Sequence, residues 1–182
     1  MNLPNILTLS RIIAIPIFVI AFYWPSPNSY YICAAIFWVA CVTDWFDGYL
    51  ARKWNQMTPF GAFLDPVADK LMVAISLAVI IEEYGSVWVT VPAIIVIGRE
   101  IVVSALREWM AEQGKRDNVA VGSIGKVKTM CQMSSIFFML IGALQLWSYY
   151  FGMFLLYVAA GLTLWSMVQY LKASWSSLFS TE

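Results

Sequence analysis

Six apolar stretches follow one another along this chain, at residues 11–24, 29–51, 62–82, 86–107, 127–147 and 150–171. A helix needs about 20 mostly apolar residues to cross the hydrocarbon core of a bilayer. The last five stretches meet that length; the first is shorter and contains Pro16. Of the 182 residues, 61% are hydrophobic, and the mean hydropathy is +0.73. A soluble domain of this size is about 45–50% apolar, so lipid is the main solvent here. The stretches use most of the chain, and no repeat, low-complexity tract or flexible linker separates them. The expected fold is an all-α integral membrane protein in one domain over residues 1–182, with six transmembrane helices.

The segment before the first stretch reads differently. Asn2, Asn5, Thr8 and Arg11 step by three, with Leu3, Ile6 and Leu7 between them. That pattern predicts a short amphipathic helix over residues 1–10 lying on the membrane surface. Arg11 is the first basic residue, so the segment lacks the basic region of a cleavable signal peptide.

Basic residues set the orientation. Arg11, Arg52, Lys53, Lys70, Arg99, Arg107, Lys115, Arg116, Lys126, Lys128 and Lys172 all fall on one side of the six spans. The opposite connections, "PSPNS", "EEYGS" and "SYY", carry no basic residue. The positive-inside rule then puts both termini in the cytoplasm. Trp24, Trp88 and Trp147 would mark the outer interface, and Trp54, Trp109 and Trp175 the inner one. Cys33 and Cys41 lie too far apart on one helix to pair, and Cys131 has no evident partner.

Four acids interrupt this apolar pattern. Asp44 and Asp47 end the second stretch; Asp65 and Asp69 begin the third. An Asp at the centre of a membrane helix costs about 2.5–3.5 kcal/mol, so four of them must face a polar cavity. Asp44 and Asp47 are i, i+3, and Asp65 and Asp69 are i, i+4, so each pair shares a helix face. The short connection makes the two helices antiparallel neighbours, which brings the pairs to one depth. Four converging carboxylates cannot all stay ionised without compensation. All-oxygen ligands suit Mg²⁺, Mn²⁺ or Ca²⁺, and the absence of any His weakens a zinc or iron site. Gly48 and Ala51 beside the acids let a bulky polar ligand approach the backbone, and Arg52 can meet phosphate. Thr58-Pro59 reads as an N-cap followed by Pro at the first helical position. Pro66 denies Ala62 its helical hydrogen bond and predicts a kink beside the metals.

These residues resemble the CDP-alcohol phosphotransferase signature, D-x2-D-G-x2-A-R-x8-G-x3-D-x3-D. It reads here Asp44, Asp47, Gly48, Ala51, Arg52, Gly61, Asp65 and Asp69, without departure. The resemblance extends along the chain through "NLPNILTLSR", "GREIVVSALREWMAEQGK" and "GKVKTMCQM". It implies a six-helix enzyme of the bacterial inner membrane, commonly a homodimer, whose active site faces the cytoplasm and holds two divalent cations, Mg²⁺ or Mn²⁺. It implies CDP-diacylglycerol as donor, an acceptor hydroxyl that attacks the β-phosphorus, and CMP as leaving group. By the same resemblance Asp44, Asp47 and Asp65 hold one metal, Asp44, Asp65 and Asp69 share in the second, and Asp69 is the general base. Gly48, Ala51, Arg52 and Gly61 would bind the CDP moiety, with Asn5, Thr8 and Thr58 assisting.

The acceptor is read from the remaining cations. Arg99 and Arg107 lie two turns apart in the fourth span, and Lys126 and Lys128 begin the fifth. Together they suit the phosphate of glycerol 3-phosphate, while Glu100 and Glu108 offer them ion-pair partners. No nucleic-acid partner is expected. Three other readings use the same acids: an acceptor such as serine, an inositol phosphate or phosphatidylglycerol; an intramembrane prenyltransferase, whose Asp motifs would lie far apart in the chain; and a divalent-cation transporter, which leaves Gly48, Ala51, Arg52 and Gly61 without a role.

Overall fold

The computed structural model describes the backbone at residues 3–54, 59–112 and 123–179. It describes side chains at residues 8–44, 64, 66–106, 108–110, 125 and 127–169. Six helices account for these segments: α1 (Leu3–Tyr23), α2 (Ser29–Trp54), α3 (Pro59–Tyr84), α4 (Val87–Glu112), α5 (Ser123–Gly142) and α6 (Leu146–Phe179). No strand occurs among the described residues. At 1.5 Å per residue, even the 20-residue α5 reaches about 30 Å, the thickness of a hydrocarbon core. Val87–Met110 and Leu146–Gln169 are long and apolar enough to cross a membrane; Thr8–Tyr23, Ser29–Asp44 and Val127–Gly142 are shorter apolar segments.

Apolar residues line the outside as well as the inside. Phe18, Phe37, Leu77, Ile80, Ile136, Met139 and Leu156 are fully buried between helices. Ile13, Ile17 and Ile20 form an exposed stripe on α1, and Val87, Val91, Ile94 and Ile101 form one on α4, where Ile101 is 64% exposed. A helix that is apolar all round belongs in lipid or in a large core. Trp24, Trp88 and Trp147 are exposed at helix ends, where aromatic side chains meet a headgroup layer.

Two boundaries differ from the sequence reading. The surface helix expected over residues 1–10 is not a separate element, because α1 runs unbroken from Leu3 to Tyr23. Pro4 falls in the first turn, where its missing N–H costs nothing, and nothing near Ser10 stops the helix. Thr8 and Arg11 consequently face the protein interior and are buried. The fifth span, expected over 127–147, ends at Gly142, and "SYY" lies inside α6. Apolar residues continue across this turn, so hydropathy does not mark it. Contacts do: a Cβ on Gly142 would lie 2.8 Å from Tyr149 Cα and from the Tyr84 hydroxyl. The Ser148 hydroxyl donates to the Phe138 carbonyl at 2.7 Å, tying α6 back to α5.

The other short connections follow ordinary chemistry. Gly85 takes φ +49°, the left-handed conformation that ends a helix, and its N–H donates to the Ile81 carbonyl at 3.0 Å. The Ser86 carbonyl accepts from the Val89 and Thr90 N–H groups, which starts α4 after a two-residue link. α5 and α6 pack closely at Gly152, where a Cβ would meet the Met139 backbone nitrogen at 2.9 Å. The Ser135 hydroxyl donates to the Gly152 carbonyl at 2.9 Å across that crossing. α1 packs on both α2 and α3, α5 on α2 and α3, and α6 on α4 and α5. A cavity is left where α2, α3, α4 and α5 face one another.

Candidate active site

Asp44 and Asp69 each sit ten residues from the ends at which α2 and α3 are joined, about 15 Å along each helix. The antiparallel pair therefore presents both carboxylates at one level. Between them lies Arg11 of α1, whose Nη1 donates to Asp44 Oδ1 at 2.7 Å and also to Asp69 Oδ1. Arg11 is 3% exposed, whereas the two Asp side chains are 36% and 37% exposed. A guanidinium thus neutralises the buried side of the pair, and the carboxylates keep an open side. That side lines a cavity of about 380 Å³.

The opposite wall is cationic but balanced. Lys128 of α5 donates to Glu100 of α4, and Arg99 lies 3.5 Å from the same carboxylate oxygen. Arg99 also donates to the Ser166 hydroxyl of α6 at 2.8 Å. Arg99 stands about halfway along α4, well inside the edge position that charge counting implied. Lys70, next to Asp69, donates to Ser104 of α4 and lines the cavity too. Arg99, Glu100 and Lys128 therefore share one cavity with Asp44 and Asp69.

The structure does not describe every candidate side chain. Asp47, Gly48, Ala51 and Arg52 lie on the α2 backbone, and Gly61 and Asp65 on that of α3, but their side chains are outside the described residues. The same holds for Asn5 on α1, Arg107 on α4 and Lys126 on α5; Thr58 is outside altogether. α3 begins at Pro59, where the Thr58-Pro59 pattern puts its first residue, and it continues through Pro66. Thr8 is buried one turn before Arg11. Among the described residues no group of three or more His, Cys, Asp or Glu is spaced to hold a metal; Asp47 and Asp65 belong to the undescribed side chains.

Sequence reasoning missed Arg11 as the shared partner of Asp44 and Asp69, and Gln132 as a residue that lines the cavity. Arg11 is 33 residues from Asp44 and 58 from Asp69, beyond any local spacing rule. Its one signal was a charge at the start of an apolar run that must face something polar. Gln132 gave a similar signal, an amide inside a span.

The family model for CDP-alcohol phosphatidyltransferases matches residues 1–165. The chain belongs to the CDP-alcohol phosphatidyltransferase family. Relatives from Shigella flexneri serotype 5b (strain 8401), Shigella boydii serotype 4 (strain Sb227) and Escherichia coli (strain K12) are each 58% identical over 177 residues. The match covers 97% of this chain and 97% of each relative. All three relatives are named CDP-diacylglycerol–glycerol-3-phosphate 3-phosphatidyltransferase. In this CDP-alcohol phosphatidyltransferase the carboxylate wall of the cavity belongs to the signature helices, and the cationic wall is supplied by α4 and α5.

Proposed function

We propose that this chain transfers the phosphatidyl group of CDP-diacylglycerol to glycerol 3-phosphate, giving phosphatidylglycerophosphate and CMP. The observation that carries this reading is one cavity that joins Asp44 and Asp69 to Arg99 and Lys128. It offers a proton acceptor and anion-binding groups within the reach of one small molecule. The 58% identity to enzymes named for this reaction supports glycerol 3-phosphate over serine, an inositol phosphate or phosphatidylglycerol as acceptor. Cation transport would leave the cationic wall unused.

In this mechanism the acceptor's phosphate lies against Arg99 and Lys128, displacing part of their interaction with Glu100. Arg107 and Lys126, on the same two helices, extend that site. The acceptor's hydroxyl oxygen bonds to the β-phosphorus of CDP-diacylglycerol while the bond from that phosphorus to CMP breaks. Asp69 takes the hydroxyl proton as the bond forms. Gly48, Ala51, Arg52 and Gly61, with Asn5, Thr8 and Thr58, hold the CDP moiety.

Two divalent cations, Mg²⁺ or Mn²⁺, fit this site. Asp44 and Asp69 already turn to a single cation, the Arg11 guanidinium, and their donors are all oxygen. Asp44, Asp47, Asp65 and Asp69 would hold the ions. When bound, such ions neutralise the pyrophosphate and the charge that develops on departing CMP.

All six helices span a bacterial inner membrane in this reading, with both termini and the cavity mouth cytoplasmic. Reporter fusions should place Gly85 outside and Asp117 inside; a cytoplasmic Gly85 would overturn the arrangement. A homodimer is the assembly that goes with it, which cross-linking in vesicles tests.

Lys128→Ala tests the acceptor site. It removes a contact to one substrate, so the KM for glycerol 3-phosphate should rise about tenfold while that for CDP-diacylglycerol stays within about twofold. Equal changes in both values would remove Lys128 from the phosphate site.

A further inference from the structure

We infer that Gln132 recognises the hydroxyl of the acceptor that does not react, which makes it a specificity residue for a polyol monophosphate. The inference rests on the transfer to glycerol 3-phosphate proposed above. Gln132 lies on α5, is 3% exposed and lines the cavity that holds Asp44, Asp69, Arg99 and Lys128. Its Oε1 is buried and accepts no hydrogen bond in the structure. A buried amide oxygen without a donor destabilises the fold, and a ligand that brings the donor resolves it.

The chemistry of the neighbours narrows the donor. Asp44 and Asp69 face Arg11, Glu100 faces Lys128 and Arg99, and Lys70 donates to Ser104. Each charged side chain that lines the cavity thus already has a charged or polar contact. Gln132 adds a neutral acceptor among them, which suits a neutral donor such as an alcohol. Gln132 is also one turn beyond Lys128, on the same face of α5. Glycerol 3-phosphate has three features to place: a phosphate, an attacking primary hydroxyl and a secondary hydroxyl. The first goes to Lys128 and Arg99 and the second to Asp69. The third donates to Gln132 Oε1, which fixes the carbon chain between the two walls.

The test compares two acceptors with the purified full-length enzyme, CDP-diacylglycerol and Mg²⁺. One is glycerol 3-phosphate. The other is 3-hydroxypropyl phosphate, which keeps the phosphate and the primary hydroxyl but lacks the secondary one. Wild-type kcat/KM should favour glycerol 3-phosphate by about a hundredfold, because binding the analogue leaves the buried Gln132 oxygen unpaired. In Gln132→Met, which fills a similar volume with only a weakly accepting thioether, the preference should shrink to about threefold or less. Gln132→Glu keeps an oxygen at this position and should keep the preference, with a higher KM for both phosphates. The preference is a ratio within each variant, so partial misfolding cancels from it. A Gln132→Met enzyme with the wild-type preference, or a wild type with none, overturns the assignment. A wild type that does not use glycerol 3-phosphate at all overturns the proposed function instead, and the control reaction reports that separately.

Discussion

Asp44→Asn is expected to slow CMP release by about 10³-fold or more while the protein stays folded. Asn has the size of Asp but none of its charge. In the proposed arrangement Asp44 serves both divalent ions, so its loss weakens each. Stabilisation of developing charge by such ions is worth several kcal/mol, and about 4 kcal/mol corresponds to a thousandfold in rate. The fold should tolerate the change, because the Asp44 side chain is already 36% exposed to the cavity and Arg11 keeps its contact with Asp69. Chelation of the wild type with EDTA should reproduce the loss, with Mg²⁺ or Mn²⁺ restoring the rate. Full turnover of the wild type in chelator would contradict the role given to the four acids.

Arg11→Leu should act on stability before it acts on chemistry. Arg11 is almost completely buried and contacts both Asp44 and Asp69. Without it, two carboxylates on facing helices lose their shared counter-charge. Removing one partner from a fully buried ion pair costs about 3–5 kcal/mol. The partial exposure of both acids discounts this to about 2 kcal/mol. Thermal unfolding in detergent with EDTA should therefore begin at a clearly lower temperature than in the wild type. Mn²⁺ should recover more stability in Arg11→Leu than in the wild type, since an ion held only by the folded state stabilises it. Arg11→Lys keeps the charge but not the planar fork, so its loss should be smaller. Identical unfolding of Arg11→Leu and wild type in chelator would show that the guanidinium does not hold this part of the bundle together.

What local sequence rules reach, and what they do not, is plain from these residues. Helix periodicity pairs Asp44 with Asp47 and Asp65 with Asp69, and α2 and α3 carry Asp44 and Asp69 to one level as antiparallel neighbours. Glu100 as a partner for nearby cations also follows from local spacing: it adjoins Arg99 and meets Lys128. Arg11 does not follow. Its place beside the two acids depends on how α1 packs against α2 and α3, and no period within one helix encodes that. The end of α5 is hidden for another reason. Hydropathy detects a turn only where polarity changes, and the chain stays apolar from Ile141 through Trp147 apart from Gly142 and Gln145. The turn is set by close backbone contact at Gly142. The polar face of residues 2, 5, 8 and 11 reads in sequence like a water-facing one. In the folded bundle Thr8 and Arg11 are buried, and Arg11 reaches the two acids rather than solvent.

The identity of the acceptor is decided by product analysis. Purified protein in vesicles containing CDP-diacylglycerol would be offered glycerol 3-phosphate, glycerol, serine, an inositol phosphate and phosphatidylglycerol in turn. CMP and the new lipid would be measured in each case. Glycerol 3-phosphate should give equimolar CMP and phosphatidylglycerophosphate, and unphosphorylated glycerol should give neither product. A phosphatidyl product from serine or the inositol phosphate but none from glycerol 3-phosphate, or ion flux without CMP release, would contradict the proposed function.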